Sequence, residues 1–410
     1  MISAPSCRNC GEDLVETFVD LGMSPLSNAY VAPQRARAME PFYPLHAFVC
    51  GACFLVQVEA FETPERIFGD YAYFSSYSDS WLEHSRRFAE RAAVRLGLRG
   101  DDLVAEAASN DGYLLQYFQE QGRRVLGIEP ARNVAAVASE KGIETVSVFL
   151  GRESGARLRS KYGPAALVIA NNVIAHVPDL HDFVGGLAAL IGEGGTLTIE
   201  FPHLLTLMRD VEFDTIYHEH FSYYSLRSMA NVLERHALRV WDVEELPTHG
   251  GSLRVWVIRQ DDDRREEPGV ALLRAKEAAA GLGSLERYRA FATLVAKRKR
   301  DVLRFFIEAR EAGKRIAGYG APAKGNTLLN YCGIQSDMLE YTVDRNPAKQ
   351  GVLLPGSRIP VYAVERLRET KPDYVFILPW NIRDEVVEQT AFVRAWGAKY
   401  VVAMPELRVF

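Results

Sequence analysis

The sequence predicts an α/β protein in which two parallel-sheet units follow a small cysteine-bearing domain. Three observations lead there. Short apolar runs alternate with helical patterns between about residues 103 and 202, and the alternation restarts after about residue 285. Two Cys-x-x-Cys pairs precede both stretches. A β-α-β-α rhythm means parallel strands whose sheet is covered on both faces. The expected division is a zinc-binding domain over 1–75, a central domain over 76–240 and a C-terminal α/β domain over 241–410.

Residues 1–75 are rich in Pro, Phe and Tyr and read as short strands and loops. Residues 80–98 form an amphipathic helix with Trp81, Phe88, Ala92 and Leu96 near one face, ended by Gly97 and Gly100. Strands follow at 103–109, 124–130, 144–149, 165–173 and 194–202. Helices separate them at 112–122, 131–141, 152–161 and 181–191. A long helix at 285–311 carries the basic run Lys297-Arg298-Lys299-Arg300, read as a solvated face that could also meet phosphates. Strands at 315–320, 338–344, 373–379 and 400–405 then build the second unit. Helices after Pro322 and at 382–395 pack on it, and the 360–367 segment completes it.

The chain has 410 residues, 48% hydrophobic and 25% charged, the mix of a globular protein with two to three domains. Lys plus Arg is 48 and Asp plus Glu is 53, a net charge of -5 that does not suit a nucleic-acid binder. No apolar run approaches the ~20 residues that cross a bilayer. The N-terminus lacks the charged and apolar regions of a signal peptide. A cytoplasmic monomer acting on a small molecule is expected.

Cys7, Cys10, Cys50 and Cys53 form the two pairs, and Cys332 stands alone as an expected buried thiol. A Cys-x-x-Cys turn presents two thiolates on one side of a loop, and two such turns enclose a tetrahedral Zn2+. Four sulfurs leave no open position, so this zinc is structural. The gap between the pairs exceeds the usual ~15–20 residues, which requires an extra hairpin between them.

In a doubly wound sheet, ligands sit beyond the carboxyl ends of the strands. The first strand runs out through Glu106, Ala107, Ala108, Ser109, Asn110, Asp111 and Gly112. Small residues there let a ligand approach the backbone, and the loop lacks the GxGxxG of a dinucleotide site. Glu129 ends the second strand, where an acid can accept both ribose hydroxyls. Phe149 ends the third, and Asn171-Asn172 end the fourth. Together these residues suggest S-adenosylmethionine rather than NAD as cofactor.

The motifs SNDGYLL (109–115), GIEP (127–130), NNVIAHV (171–177), IYHEHFSYYS (216–225), GGSLRV (250–255) and GYGAPAKGNTLLN (318–330) occur in order. With the four cysteines, they resemble nucleotide-sugar C-methyltransferases, above all the C-3 methyltransferases of the tetronitrose and kijanose pathways. The resemblance covers nearly the whole chain. It implies a zinc domain, a central Rossmann-like class I methyltransferase domain and a C-terminal Rossmann-like domain holding much of a dTDP-sugar. It also implies methylation of a dTDP-4-keto-6-deoxysugar for antibiotic sugars, at C-3, with C-5 as the alternative.

Such chemistry needs a base beside an acidified C–H and a means of holding the enolate oxygen. Imidazole suits the base role. The densest candidates are Tyr217, His218, Glu219 and His220. In an extended segment Tyr217 and Glu219 would share one face and the two histidines the other. The resemblance implies that His220 is the base, with Tyr217 and Glu219 beside the sugar and His218 at the substrate. A metal at the His-Glu-His run and a purely structural role stay open. His176 is implied near the keto oxygen, with a helix-cap role as the alternative. Tyr71 is implied to reach in from the N-terminal domain, in preference to Tyr73, with Tyr77 and Ser80 over the cofactor.

Gly318 to Thr327 follows an apolar strand and opens a helix, a setting that favours phosphate. Lys324 adds a cation and Asp344 ends the next strand. Taken alone, this pattern also suits NAD or a turn with no ligand. The resemblance implies that Tyr319, Ala321, Lys324, Gly325, Asn326, Asp344 and Arg345 hold the diphosphate or sugar. Trp380, Asn381 and the Gly250–Arg254 segment are further candidates.

Overall fold

In the computed structural model, residues 5–63, 76 and 79–410 are described. They form three sheets. The N-terminal sheet is antiparallel, with strands Glu16–Ser24, Tyr43–Val49 and Val56–Val58 in order. The first two are the hairpin that the long gap between the cysteine pairs requires. Its fourth strand, Ser222–Tyr223, comes from far along the chain and pairs through Val56–Tyr223 and Gln57–Ser222.

The central sheet has seven strands: β1 Leu103–Ala107, β2 Arg124–Ile128, β3 Thr145–Val146, β4 Ala165–Asn171, β5 Ile191–Pro202, β6 Leu238–Leu246 and β7 Ser252–Arg259. Their order is β3-β2-β1-β4-β5-β7-β6. The first five are parallel, and β7 lies antiparallel between β5 and β6. The expected boundary at 241 therefore falls inside β6. Residues 252–259, read from sequence as a link, complete this sheet. An antiparallel strand needs only a tight hairpin, so it carries no helix to announce it. The strand order reverses between β1 and β4, which places a ligand crevice beyond their carboxyl ends.

The C-terminal sheet runs Val361–Tyr362, Thr342–Val343, Ile316–Tyr319, Tyr374–Ile377, Lys399–Val402 and Arg408–Val409, with only the last strand antiparallel. The helix Leu285–Glu311 joins the outer units. Its Phe291 stacks on Phe18 of the N-terminal sheet at 4.5 Å, while Phe306 packs on Phe376 of the C-terminal sheet at 5.1 Å. The basic run on this helix is only partly solvated. Lys297 pairs with Asp301, Arg298 donates to the Ala403 carbonyl at 2.7 Å and Lys299 lies over the Tyr331 ring. Helix Asp79–Leu96 buries Phe88 and Ala92 against Phe118 and Trp256. Among the described residues, no helix is long and apolar enough to cross a membrane. Cys332 is buried.

Candidate active site

The four paired cysteines come together. Their sulfurs lie within 4.8 Å of one another, with Cys7–Cys53 at 3.5 Å and Cys10–Cys50 at 3.4 Å. Zn–S bonds of ~2.3 Å give tetrahedral edges of about 3.8 Å, so the set fits one zinc ion. Each knuckle turns tightly, through Gly11 at φ 79° and Phe54 at φ 61°. Gln57 supports the cage from outside, donating to Cys7 Sγ at 3.2 Å and accepting the Arg8 N–H at 2.9 Å.

The loop after β1 is shaped by positive φ at Ala108, Asn110 and Gly112. Glu129, at the end of β2, closes it. One carboxylate oxygen accepts the Asn110 N–H at 2.9 Å and the other the Ala131 N–H at 2.8 Å. Each oxygen has a second lone pair for a ribose hydroxyl. Burial pushes the Glu129 carboxyl up, and the two N–H donors oppose that. Burial, with Glu129 and Asp111 near, likewise pushes Glu106 well up against the Tyr113 hydrogen bond. Glu106 Oε2, Ser109 Oγ, Asp111 Oδ1, Asn171 Oδ1 and Asn172 Nδ2 are buried without hydrogen-bond partners. Each such atom costs ~1–3 kcal/mol. All five lie at or near the carboxyl ends of adjacent β1 and β4, where a cofactor with carboxylate, ammonium and ribose groups would satisfy them. Phe149 stands just past β3 and is 42% exposed.

Residues 217–220 form a turn, not the extended segment considered from sequence. The His220 N–H donates to the Tyr217 carbonyl at 2.9 Å. Tyr217 and His220 therefore share a side, with Tyr217 Oη 2.8 Å from His220 Nε2. His220 Nδ1 lies 2.9 Å from the Thr215 carbonyl. A carbonyl only accepts, so Nδ1 carries the hydrogen and Nε2 keeps its lone pair. Burial, with His176 near, pushes this imidazole well below its ordinary range. His176 follows β4 and lies edge-on to His220, ring centroids 4.6 Å apart. Its Nδ1 donates to the Glu219 carbonyl at 2.8 Å, and burial pushes it down to about 4. The Phe221 N–H donates to the Ala175 carbonyl at 2.7 Å. The turn thus packs onto the loop leaving β4, at the same sheet edge as the loops after β1 and β2.

His218 points elsewhere. Its Nε2 donates to the Pro44 carbonyl at 3.1 Å, and its ring meets Tyr43 and Phe61 edge-on in the N-terminal domain. Tyr71, Tyr73, Tyr77 and the side chain of Ser80 lie outside the described residues.

The second glycine loop is largely satisfied by its own fold. A Cβ on Gly320 would lie 2.5 Å from Pro379, and one on Gly325 2.9 Å from Leu378, so both glycines serve close packing. Asp344 accepts the Ala321 and Asn346 N–H groups at 2.7 and 2.8 Å, the arrangement Glu129 adopts in the central unit. Tyr319 Oη donates to Gln389, and Asn326 Nδ2 to the Ser27 carbonyl. Lys324 Nζ donates to Asn381 Oδ1 at 3.0 Å and lies 4.5 Å from the Trp380 ring centroid. Trp380 Nε1 donates in turn to Asp214 Oδ2 at 2.7 Å. Arg345 is exposed and lies 3.8 Å from Glu385.

Several groups at this edge carried no functional reading in the sequence. Glu212 and Asp214 are buried beside Lys324, and burial pushes Asp214 up to about 6. Glu200, in β5, binds Arg254, His84 and Thr248. Its one available signal is an acid between the apolar Ile199 and Phe201. Asn28 donates to Glu219 from the N-terminal domain, a contact with no local pattern in sequence.

A seven-stranded sheet in this order, polar at its β1, β2 and β4 ends and joined to a cage of four cysteines, defines a class I methyltransferase that uses S-adenosylmethionine and carries structural zinc. Residues 7–68 match a model described as "Putative zinc binding domain", 81–243 a methyltransferase domain and 247–405 a C-methyltransferase C-terminal domain. C-methyltransferase NovU of Streptomyces niveus is 36% identical over 98% of this chain and 96% of its own. The chain belongs to the C-methyltransferase family. Among solved structures, a magnesium protoporphyrin IX methyltransferase from Synechocystis PCC 6803 with bound SAM is 16% identical. It covers 48% of this chain and 88% of its own at a TM-score of 0.34. A Burkholderia thailandensis 1,6-didemethyltoxoflavin-N1-methyltransferase is 18% identical, covering 52% and 98% at 0.34.

Proposed function

We propose that this C-methyltransferase acts on carbon 3 of a dTDP-4-keto-6-deoxysugar, with His220 as the base. The observation that carries the reading is the His220 imidazole, neutral, with Nε2 facing the Tyr217 hydroxyl at 2.8 Å beside the cofactor edge. A ketone acidifies its neighbouring C–H, and a neutral buried imidazole is a proton acceptor at neutral pH. His220 Nε2 takes the C-3 proton, and the charge moves to the 4-oxygen as an enolate. A hydrogen-bond donor must meet that oxygen. The Tyr217 hydroxyl hydrogen, which meets Nε2 in the free protein, turns to this oxygen as substrate enters and frees the Nε2 lone pair for the C-3 proton. His176, with its hydrogen on Nδ1, offers Nε2 as an acceptor and suits proton relay better than oxygen binding. S-adenosylmethionine, when bound, supplies an electrophilic methyl group.

Lys324 and Arg345 stand at the C-terminal edge as the cations for the diphosphate. Glu219, beneath the same turn, faces the sugar. The reading is tested by incubating the protein with a dTDP-4-keto-6-deoxysugar and S-adenosylmethionine in D2O. Wild type is expected to exchange the C-3 proton and to give a product whose NMR spectrum places the methyl on C-3. His220→Asn is expected to lose both exchange and methylation. Full activity in that variant would overturn the base assignment, and a methyl on C-5 would overturn the position.

A further inference from the structure

We propose that Asn28, carried by the N-terminal domain, is a positioning residue that fixes the Glu219 carboxylate for its work on the sugar. The inference rests on the reading above, that Glu219 faces the substrate. Residues 25–31 leave the N-terminal sheet and cross to the C-terminal unit. There Val31 and Leu353 exchange two backbone hydrogen bonds, at 2.9 and 2.8 Å. Before that anchor, the Ser27 carbonyl accepts Asn326 Nδ2 at 2.6 Å, and the Tyr30 hydroxyl donates to the Ala321 carbonyl. The segment is therefore pinned on both sides of Asn28.

Between the pins, Asn28 Nδ2 lies 2.9 Å from each oxygen of Glu219. Glu219 is 5% exposed, and among the described residues no other donor is within hydrogen-bond distance of its carboxylate. A buried carboxylate with one donor group owes its orientation to that group. The charged and titratable groups around it are Lys349 and Tyr30 on the C-terminal and strap sides, and His176, His218 and His220 from the turn and the β4 loop. Asp344 lies beyond, where it senses both Lys349 and Tyr30. The Lys349 ammonium is itself engaged with the Ala321 carbonyl at 2.9 Å.

Burial pushes the Glu219 carboxyl up to about 7, against the opposing pull of Asn28 and Lys349. N–H donors favour the ionised form, so losing Asn28 raises Glu219 further. A positioning role carries that shift into the pH profile of turnover, which a purely structural contact leaves unmoved.

The test uses the full-length protein as wild type, Asn28→Ala and Asn28→Asp. The Glu219 carboxylate is titrated by infrared difference spectroscopy, its band assigned with Glu219→Gln. The pH profile of methyl transfer to a dTDP-4-keto-6-deoxysugar is recorded alongside, with melting curves to check folding. In Asn28→Ala the titration and the acid limb of kcat/KM are both expected to move up by about one pH unit. At pH 7, kcat is expected to fall by about tenfold with KM little changed. Asn28→Asp, which sets a like charge beside Glu219, should move both further. A Glu219 titration that stays at the wild-type pH overturns the proposal, as does one that moves while the acid limb stays. A wild type that binds S-adenosylhomocysteine but turns over no dTDP-4-keto sugar sinks the substrate reading, and the carboxylate titration still decides Asn28.

Discussion

Arg8 and Phe221 tie the cysteine knuckle to the turn that carries His220: Arg8 Nη1 donates to the Phe221 carbonyl at 3.1 Å, and the guanidinium sits 5.4 Å from the Phe221 ring centroid. Arg8 stands between Cys7 and Cys10, and Phe221 follows His220. Gln57 makes a parallel link, holding Cys7 and Arg8 on one side and pairing with Ser222 on the other. The cysteine cage thus fixes the strand that leaves the proposed base.

Loss of zinc should therefore reach the chemistry without touching the cofactor loops. Cys7→Ser is expected to lose most of its zinc by atomic absorption and at least tenfold in methyl transfer. S-adenosylhomocysteine affinity, which we assign to the β1, β2 and β4 ends, should change by less than about threefold. Arg8→Ala should keep its zinc and still lose about 10-fold or more in turnover, the usual size for groups that support a site from behind. Calorimetry with S-adenosylhomocysteine checks both variants. An equal loss of cofactor binding would mean that the cage supports the whole fold instead.

Tyr217 offers a narrower test. Its hydroxyl meets His220 Nε2 at 2.8 Å, so Tyr217→Phe removes one donor without changing the ring. The expected result is a kcat lower by about 10²-fold, the scale of losing one donor to a developing oxyanion. KM and cofactor affinity should change little. Deuterium exchange in the absence of methyl donor should fall in proportion, because the donor acts on the enolate. Exchange at the wild-type rate would assign Tyr217 to packing.

Much of this was legible in the sequence because it is periodic or paired. The apolar runs at 103–109 and 165–173 became β1 and β4, and the two Cys-x-x-Cys turns met in one cage. What stayed hidden depends on contacts between distant segments. Ser222–Tyr223 joins a sheet built more than 150 positions earlier, a pairing that no local pattern announces. His218 and His220 sit two apart yet face different domains, because a turn at 217–220 replaces strand alternation. Asn28 sits in a loop whose only sequence sign is Pro and Asn, and its role exists only once Glu219 is in place. The glycine loop at 318–325 carries two readings at once, since packing against Pro379 and Leu378 demands glycine as firmly as a phosphate would.

Glu129 tests the cofactor edge. Its two oxygens hold the loops after β1 and β2 through Asn110 and Ala131. Glu129→Ala removes the proposed ribose acceptor and releases both N–H groups. The dissociation constant for S-adenosylhomocysteine is expected to rise at least ~30-fold, about 2 kcal/mol for one charge-assisted contact. Zinc content should not change. Unaltered affinity would place the adenosine elsewhere.

Glu200 and Arg254 carry the pH prediction for stability. Both side chains are fully buried, 2.5 Å apart, and His84 Nε2 lies 3.2 Å from the same carboxylate oxygen. Burial alone would raise the Glu200 carboxyl, but His84 and Arg254 outweigh it and bring it down to about 2, against an ordinary 4.5. A carboxyl lowered on folding stabilises the native state fully above its unfolded pKa. That contribution is lost as pH falls through the folded value. The window here runs from about pH 4.5 down to about 2, and the linked free energy is about 3 kcal/mol. Glu200→Gln leaves Arg254 with Glu244 alone as counter-charge, at 3.2 Å. Breaking a buried pair from one side costs ~3–5 kcal/mol. Urea unfolding should therefore show the variant weaker by about that amount at pH 7, with the gap narrowing as pH approaches 3. A gap of constant size across that range would mean that Glu200 binds protons equally in the folded and unfolded chain, so that His84 and Arg254 do not lower it on folding.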